Sequence, residues 1–454
     1  MNRTKNFFPL GPFIRKIPEK VEWQIATINP KGWVSNLDRA STLIQDNESP
    51  YTKNFRYRAD KLEKRPGYSV MGALISGCDI MLIDQYFHWD GGDFLIAATP
   101  GGLFQFTAGA WALIPLAVAD YPGGFAGTDS DFFVTEVVNN WFIFCNQVDP
   151  VGYWTGAGDA QRLSADCPPC RAMRSYGDRL VIGHTFEGVN RPYRVRWPVN
   201  GDITNWTGVG SGYTDSPFDE SPDWIQQIEK MEDYCLVYKE RSIFAGRRTG
   251  VATSPFSFTE SLTNTGLLCK FSLVDLGDEH LFIGPDDAYS LTISNTKKLM
   301  SEKVRNYFFE YANPSEWDRV TGFFIEELDE WWIVLPFAGE TYANTAIVYN
   351  VTRETWTMFG FGHYITVAGY WQRSASLTID DLVGTIDEQA WKLDSRHSLA
   401  AYPINLLGLT NGAIVEIGDE FLDDAGVVIG AEWQSKDLQI QPGYIHTMGG
   451  VRIG

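Results

Sequence analysis

Ile80-Met-Leu-Ile-Asp-Gln-Tyr-Phe87, Phe94-Leu-Ile-Ala-Ala-Thr99, Gly101-Gly-Leu-Phe-Gln-Phe106 and Trp111-Ala-Leu-Ile-Pro115 follow one another between residues 80 and 115. Each is a short apolar and aromatic run, and each is separated from the next by a few turn residues such as Gly91-Gly92. Runs of this length bounded by Gly, Pro and Asp are strand signals. The same rhythm continues through Thr135–Val138, Trp141–Asn146, Gly152–Trp154, Cys170–Tyr176, Arg179–His184, Tyr193–Trp197 and Asn205–Trp206. Tyr176-Gly-Asp178, Pro285-Asp-Asp287 and Asn411-Gly412 supply further hairpin chemistry. Aromatic residues make up 14% of the chain, a bias toward pleated, half-buried surfaces. Long stretches with the helical 3.6-residue period are nearly absent.

The aromatic residues that close each group of strands recur with a period. Trp111, Trp154, Trp206, Phe256, Trp317, Trp356 and Trp391 are spaced by 43, 52, 50, 61, 39 and 35 residues. Four-stranded propeller blades repeat at roughly 40–50 residues. Several anchors are fed by similar polar turns: Val199-Asn-Gly-Asp-Ile-Thr-Asn-Trp206, Tyr349-Asn-Val-Thr-Arg-Glu-Thr-Trp356 and Ile386-Asp-Glu-Gln-Ala-Trp391. A lone four-stranded sheet cannot bury its two faces, whereas sheets stacked around an axis bury both. The reading is an all-β chain: a β-propeller of about seven four-stranded blades, within a range of six to eight. Stacked β-sandwiches or barrels are the alternative fold.

Three regions follow. Residues 1–70 hold Pro9, Pro12, Pro18 and Pro30 and read as an extended arm for assembly contacts, with strands at Val21–Ile28 and Trp33–Leu37 and another near Leu62. Residues 71–400 read as the propeller. Residues 401–454 read as closure of the final blade followed by C-terminal strands, with the ending Val451-Arg-Ile-Gly454 in mid-strand, as if the chain continued or paired with a neighbour.

The 454 residues carry a net charge of −20. Nonspecific nucleic-acid binders are basic, because phosphate contacts supply most of their affinity. The charge therefore argues against a DNA-gripping protein, while remaining compatible with a passage to which DNA must not adhere; it also serves solubility. Met1-Asn-Arg-Thr-Lys5 is basic, but no apolar run of about 7–15 residues follows to make a secretory leader. No stretch approaches the roughly 18 apolar residues of a membrane helix. Cys78, Cys145, Cys167, Cys170, Cys235 and Cys269 lie mostly in apolar strand runs, the pattern of buried thiols in a reducing compartment.

The search for catalytic sets yields none. His88, His184, His280, His363, His397 and His446 are scattered, with no paired spacing for zinc. Cys167-Pro-Pro-Cys170 has redox-motif spacing but two prolines and a strand context, so it reads as a turn between blades, with a disulfide or half a metal site as alternatives. The acidic pairs Asp286-Asp287, Glu326-Glu327, Asp380-Asp381 and Asp423-Asp424 could in principle face each other across a sugar, but Asp in turns is expected on structural grounds. Asp149 and Asp159 read the same way. Thr207-Gly-Val-Gly-Ser-Gly212 reads as a blade connection, since no Lys-Ser/Thr follows as a phosphate loop requires. No catalytic, cofactor-binding or metal residue is assigned.

Three phrases carry a resemblance. Asn47-Glu-Ser-Pro50, Asn54-Phe-Arg-Tyr57 and Lys64-Arg-Pro-Gly-Tyr68 resemble the opening of virion propeller proteins, and Arg194-Val-Arg-Trp197 with Gly201-Asp-Ile-Thr-Asn-Trp206 resembles one of their blade phrases. Glu432-Trp-Gln-Ser-Lys-Asp437 resembles their ending. The chain is similar on these residues to the packaged-DNA stabilization proteins, the tail hub or nozzle proteins of short-tailed phages. The resemblance implies a non-enzymatic virion component assembled in the host bacterial cytoplasm. It would form a homo-oligomeric ring, typically a hexamer, below the portal adaptor. That ring would continue the channel for double-stranded DNA without sequence-specific binding, help retain packaged DNA, and anchor fibre, spike or needle proteins. The alternatives are a receptor-binding propeller and a propeller glycosidase acting on host polysaccharide.

Overall fold

The computed structural model describes residues 32–33, 48–58, 61–75, 77–107, 109–215, 223–372 and 403–434. The strand expected at Val21–Ile28, all but Trp33 of the one expected at Trp33–Leu37, the C-terminal residues 435–454, the anchor Trp391, the pair Asp380-Asp381, and His397 and His446 lie outside these residues.

Five four-stranded antiparallel sheets follow in chain order. Blade 1 comprises Leu82–Phe87, Asp93–Thr99, Gly102–Thr107 and Ala110–Ile114. Blade 2 comprises Val134–Val138, Trp141–Cys145, Gly152–Trp154 and Gln161–Arg162; blade 3, Cys170–Ser175, Leu180–Phe186, Asn190–Trp197 and Gly212–Thr214. Blade 4 comprises Ile225–Met231, Tyr234–Lys239, Ser242–Val251 and Ser254–Thr263; blade 5, Val274–Asp275, Glu279–Ile283, Ala288–Thr292 and Thr296–Lys298. Blade 6 begins with Thr321–Ile325, Glu330–Leu335 and Ala343–Asn350, and its fourth strand is the first part of the 17-residue strand Thr355–Trp371. The second part of that strand, from Ile365, pairs with Ile404–Leu409, which pairs with Ile414–Gly418, which pairs with Gly67–Val70. These four make blade 7. The fold is a seven-bladed β-propeller, closed by a strand from the N-terminal side added to three from the C-terminal side.

The packing shows why the ring closes. The second strand of each blade is buried on both faces, and alternate residues serve opposite neighbours, as the two-residue strand period requires. Phe142 and Phe144 pack toward blade 1, while Ile143 and Cys145 pack toward blade 3. Trp331 and Ile333 pack toward blade 5, while Trp332 and Val334 pack toward blade 7. Distinct apolar clusters lie between blades 1 and 2, 2 and 3, 3 and 4, 4 and 5, 5 and 6, and 6 and 7. A further cluster joins Leu406 and Ile414 of blade 7 to Ile83, Leu95 and Ala97 of blade 1. Among the described residues every blade shares an apolar cluster with each of its neighbours, which is the physical reason a repeat of this kind closes on itself.

Some expectations shift. Gly67–Val70, assigned to the arm, belongs to the propeller, which also extends to Gly418. The anchors occur about once per blade but not at equivalent places. Trp111 and Phe256 lie on fourth strands, Trp154 on a third strand, and Trp206 in a loop inside blade 3. Trp317 closes no strand: it sits in the connection between blades 5 and 6 and stacks on Phe308 of helix α1 (Glu302–Tyr311) with ring centroids 6.3 Å apart. Ser301 caps α1, accepting from Val304 N, and Val304 and Phe308, one turn apart, point into the core between the two blades. Thr207–Gly212 connects the third and fourth strands of blade 3 rather than two blades.

Candidate functional sites: the arm–tail seam and the propeller axis

Outside the barrel of blades, the chain's two flanks meet. Tyr51–Lys53 pairs antiparallel with Glu432–Gln434, and Phe55–Arg58 forms a hairpin with Lys61–Lys64. Asn54, between these strands, adopts a left-handed backbone (φ 61°), a conformation Asn tolerates better than most residues. Its side chain works in three directions. Asn54 Oδ1 accepts from Gly360 N (2.7 Å) and Arg65 Nε (2.9 Å), and Nδ2 donates to Gly430 O (2.6 Å).

Arg65 then grips Asp424 bidentately, Nη1 to Oδ1 at 2.9 Å and Nη2 to Oδ2 at 2.5 Å. The two side chains are 1% and 2% exposed, so this is a fully buried ion pair. Its remaining valences are filled: Arg65 also donates to Pro66 O and Gly360 O, and Asp424 Oδ2 accepts from Gly362 N. A planar fork meeting a carboxylate is the geometry at which Lys cannot substitute for Arg. Gly67 is required by contact, because a Cβ there would lie 2.1 Å from Asp423 O. Tyr68 is buried, and its hydroxyl lies 3.0 Å from His363 Nδ1. Arg56 adds an ion pair to Asp419 at 2.8 Å. The described residues of the Lys64-Arg-Pro-Gly-Tyr68 phrase are therefore a joint that ties arm, tail and blades 6 and 7 together.

The blade phrase is likewise architectural. Arg194 pairs with Glu187 (2.9 Å) and bidentately with Asp215 (2.8 and 2.7 Å), and its guanidinium lies 3.8 Å from the Tyr213 ring centroid. Asp202 turns the loop by accepting from Thr204 N, and Trp206 Nε1 donates to Ile203 O.

The second site is the propeller axis. Arg174, on the innermost strand of blade 3, reaches Glu136 of blade 2 (3.3 Å), Glu229 of blade 4 (2.9 Å) and Asp275 of blade 5 (3.8 Å). Blades 2 and 5 are not neighbours, so the guanidinium bridges across the centre of the ring. Asp275 also lies 3.4 Å from His280 Nε2, and His280 Nδ1 is 2.6 Å from the Tyr238 hydroxyl. Nearby, Thr135 donates to Asp84 at 2.5 Å. Burial pushes Glu229 up to about 7, against the opposing pull of Arg174. Burial also raises Glu136 and Asp84. Burial works against the Arg174 cation, but Glu229, Glu136 and Asp275 outweigh it and raise its pKa. The hydrogen bond from His280 holds Asp275 below the usual carboxylate range.

Beside this network opens a cavity of about 590 Å³. Its walls come from the innermost strands of blades 5, 6 and 7 and from the second strand of blade 7: Asp275, Phe324, Ile325, Tyr370 and Asn405, with Glu326 and Glu327 on the short turn after Ile325. Tyr370 is fixed by donating to Phe324 O (2.9 Å) and accepting from Phe324 N (2.7 Å), which ties blade 7 to blade 6 at this level.

The remaining candidates are dispersed. All six cysteines are free; Cys78 is exposed and the other five are buried. Cys167 lies in the connection from blade 2 to blade 3, and Cys170 begins blade 3. His184 is buried, and that burial lowers it to about 4. Asp149 organises a turn by accepting from Ala126 N, Gly127 N and Asn146 Nδ2. Asp287 accepts from Met300 N, Asp286 pairs with Lys298, and Asp423 accepts from Gly426 N. Of the acidic pairs, Glu326-Glu327 lines the cavity at the axis, and Asp423 lines a second one of about 510 Å³ beside Tyr68 and Phe421. No group of three or more His, Cys, Asp or Glu among the described residues is arranged to hold a metal, and no helix among them is long and apolar enough to cross a membrane.

No family model matches this chain, and no curated protein matches it. Among solved structures it is similar to the WD40 domain of Neurospora crassa Pan2, at 9% identity over 79% of this chain and 97% of that one, TM-score 0.40. It is also similar to a catalytically inactive virginiamycin B lyase from Staphylococcus aureus with quinupristin, at 7% identity over 77% of this chain and 99% of that one, TM-score 0.45. At these identities and TM-scores neither likeness carries an argument about this chain. The strand pairing described above carries the fold assignment.

Proposed function

We propose that this chain is a structural, non-enzymatic component of a phage tail machine, a hub or nozzle of the virion, assembled in the host bacterial cytoplasm. The observation that carries the reading is the seam. The residues that resemble the virion proteins' opening phrase are spent on locking arm and tail to the propeller through Asn54, Arg65 and Asp424. A motif used in this way is architectural, and it holds an appendage at a fixed place on the rim, where a ring of copies would make its contacts.

In this reading the chain forms a homo-oligomeric ring, a hexamer, below the portal adaptor, and presents sites for fibre, spike or needle proteins. Double-stranded DNA would pass through the lumen of that ring without sequence-specific contact. It would not pass along the propeller axis, which Arg174 crosses with its ion pairs to Glu136, Glu229 and Asp275. The net charge of −20 suits a passage to which phosphates do not adhere.

The test is a particle assembled without this chain. Heads should fill and then lose their DNA, seen as empty capsids by electron microscopy and as nuclease-accessible DNA. Stable full heads lacking the chain would overturn the retention role.

A further inference from the structure

We propose that Cys145 and Cys170 form a reversible disulfide that staples blade 2 to blade 3, with a peroxide as the oxidant. The inference stands independently of the tail role. Cys145 ends the second strand of blade 2, and Cys170 opens the first strand of blade 3. Both thiols are free and buried in the apolar cluster between these two blades. The Cys145 sulfur accepts from Cys170 N at 3.4 Å and from Gln147 N at 3.3 Å, and its own thiol faces Asp149 O at 3.8 Å. The Cys170 thiol also donates to the Cys145 sulfur. A disulfide needs two side chains whose sulfurs can meet without backbone movement. These two already touch, and the Cys145 sulfur rests against the backbone amide of its partner.

The surroundings divide the roles. Burial works against a Cys145 thiolate, but the Cys170 thiol, the Cys170 and Gln147 amides and the Lys270 ammonium outweigh it and lower its pKa. Cys170 is held well above its ordinary value, first by its hydrogen bond to Cys145 and then by burial. Cys145 is therefore the nucleophile and Cys170 the resolving thiol. The Cys145 thiolate attacks one oxygen of hydrogen peroxide. The O–O bond breaks, leaving a sulfenic acid on Cys145 and a hydroxide that takes up the proton Cys145 had shed. The Cys170 sulfur then displaces the hydroxyl from Cys145, and the Cys170 proton leaves with it as a second water. Two thiols lose two electrons and one peroxide gains them. A water-sized oxidant suits a pair that follows directly on the connection exposing Ala165 and Asp166. Cys167 stands outside the pair: burial raises it well above its ordinary value, and its thiol faces Pro168 O at 3.9 Å. In reducing surroundings the staple stays open.

The test uses the full chain with Cys78→Ser, which removes the exposed thiol. The folded protein is treated with hydrogen peroxide, and free thiols are counted after denaturation. Five should fall to three, and peptide mapping should join the Cys145 peptide to the Cys170 peptide. The melting temperature should rise by about 3 °C or more, because a bridge across 25 residues restricts the unfolded chain. Dithiothreitol should reverse both changes. Cys167→Ser in the same background should still form the bridge, its four thiols falling to two. Cys170→Ser should stop at a sulfenic acid on Cys145, captured by dimedone. Thiols left intact, a bond through Cys167, or a bridge that lowers the melting temperature overturns the proposal. If Cys170→Ser does not fold, peptide mapping of the Cys167→Ser chain decides alone.

Discussion

Asp424 receives both guanidinium nitrogens of Arg65 where neither side chain meets water. Ion pairs of this kind add little compared with a well-packed apolar pair, but removing one partner leaves a bare buried charge, at a cost of about 3–5 kcal/mol. Asp424→Ala should therefore lower the unfolding free energy by that amount in urea titration; a loss below about 1 kcal/mol would mean that the seam is wet. The axis offers a second test. Glu229, at about 7 in the fold against an ordinary 4.5, binds its proton more tightly folded than unfolded. Its contribution is fully present below pH 4.5 and is lost as pH rises through 7, about 3 kcal/mol across that window. Glu229→Gln, neutral throughout, should flatten the fall in stability between those pH values. An identical slope in both proteins would contradict the buried axial network. None of this network was legible in the sequence. Arg174, Glu136, Glu229 and Asp275 are single charges inside strand runs, and what unites them is a ring closure that brings four blades to one point. Asp424 was visible only as half of an acidic turn pair.

The strands, by contrast, could be read, because each carries its own signal in a continuous apolar run between turn residues. What the runs could not convey is partnership. Gly67–Val70 looks like the end of an arm, yet it is the outer strand of blade 7, some 345 residues in sequence from Val415–Gly418 with which it pairs. The aromatic period worked because every blade repeat brings large rings to the interfaces between blades, not because the rings occupy equivalent positions. Trp317 shows the difference: it serves α1, a helix with no apolar period long enough to stand out. At this scale the closing strand is the element to disturb. Gly67→Ala forces a Cβ against Asp423 O, and strain of this kind costs about 1–3 kcal/mol. A thermal melt should show one cooperative transition at lower temperature. An unchanged melting temperature would show that Gly67–Val70 is not held against the 423 backbone.

For the molecule as a whole, the seven interfaces make the propeller a closed unit, and arm and tail are joined to it at one place on the rim. In the proposed ring, the propeller's faces and the seam's outer side would be the surfaces that meet neighbours. The resemblance in the opening phrase gains physical content here, since Arg65, Gly67 and Tyr68 each have a stated structural task. The most direct measurement is an averaged electron-microscopy image of intact particles carrying a label on this chain. The account predicts six labels arranged as a ring around the DNA path below the portal. Labels scattered over the capsid, confined to distal fibres, or missing from the particle would contradict it.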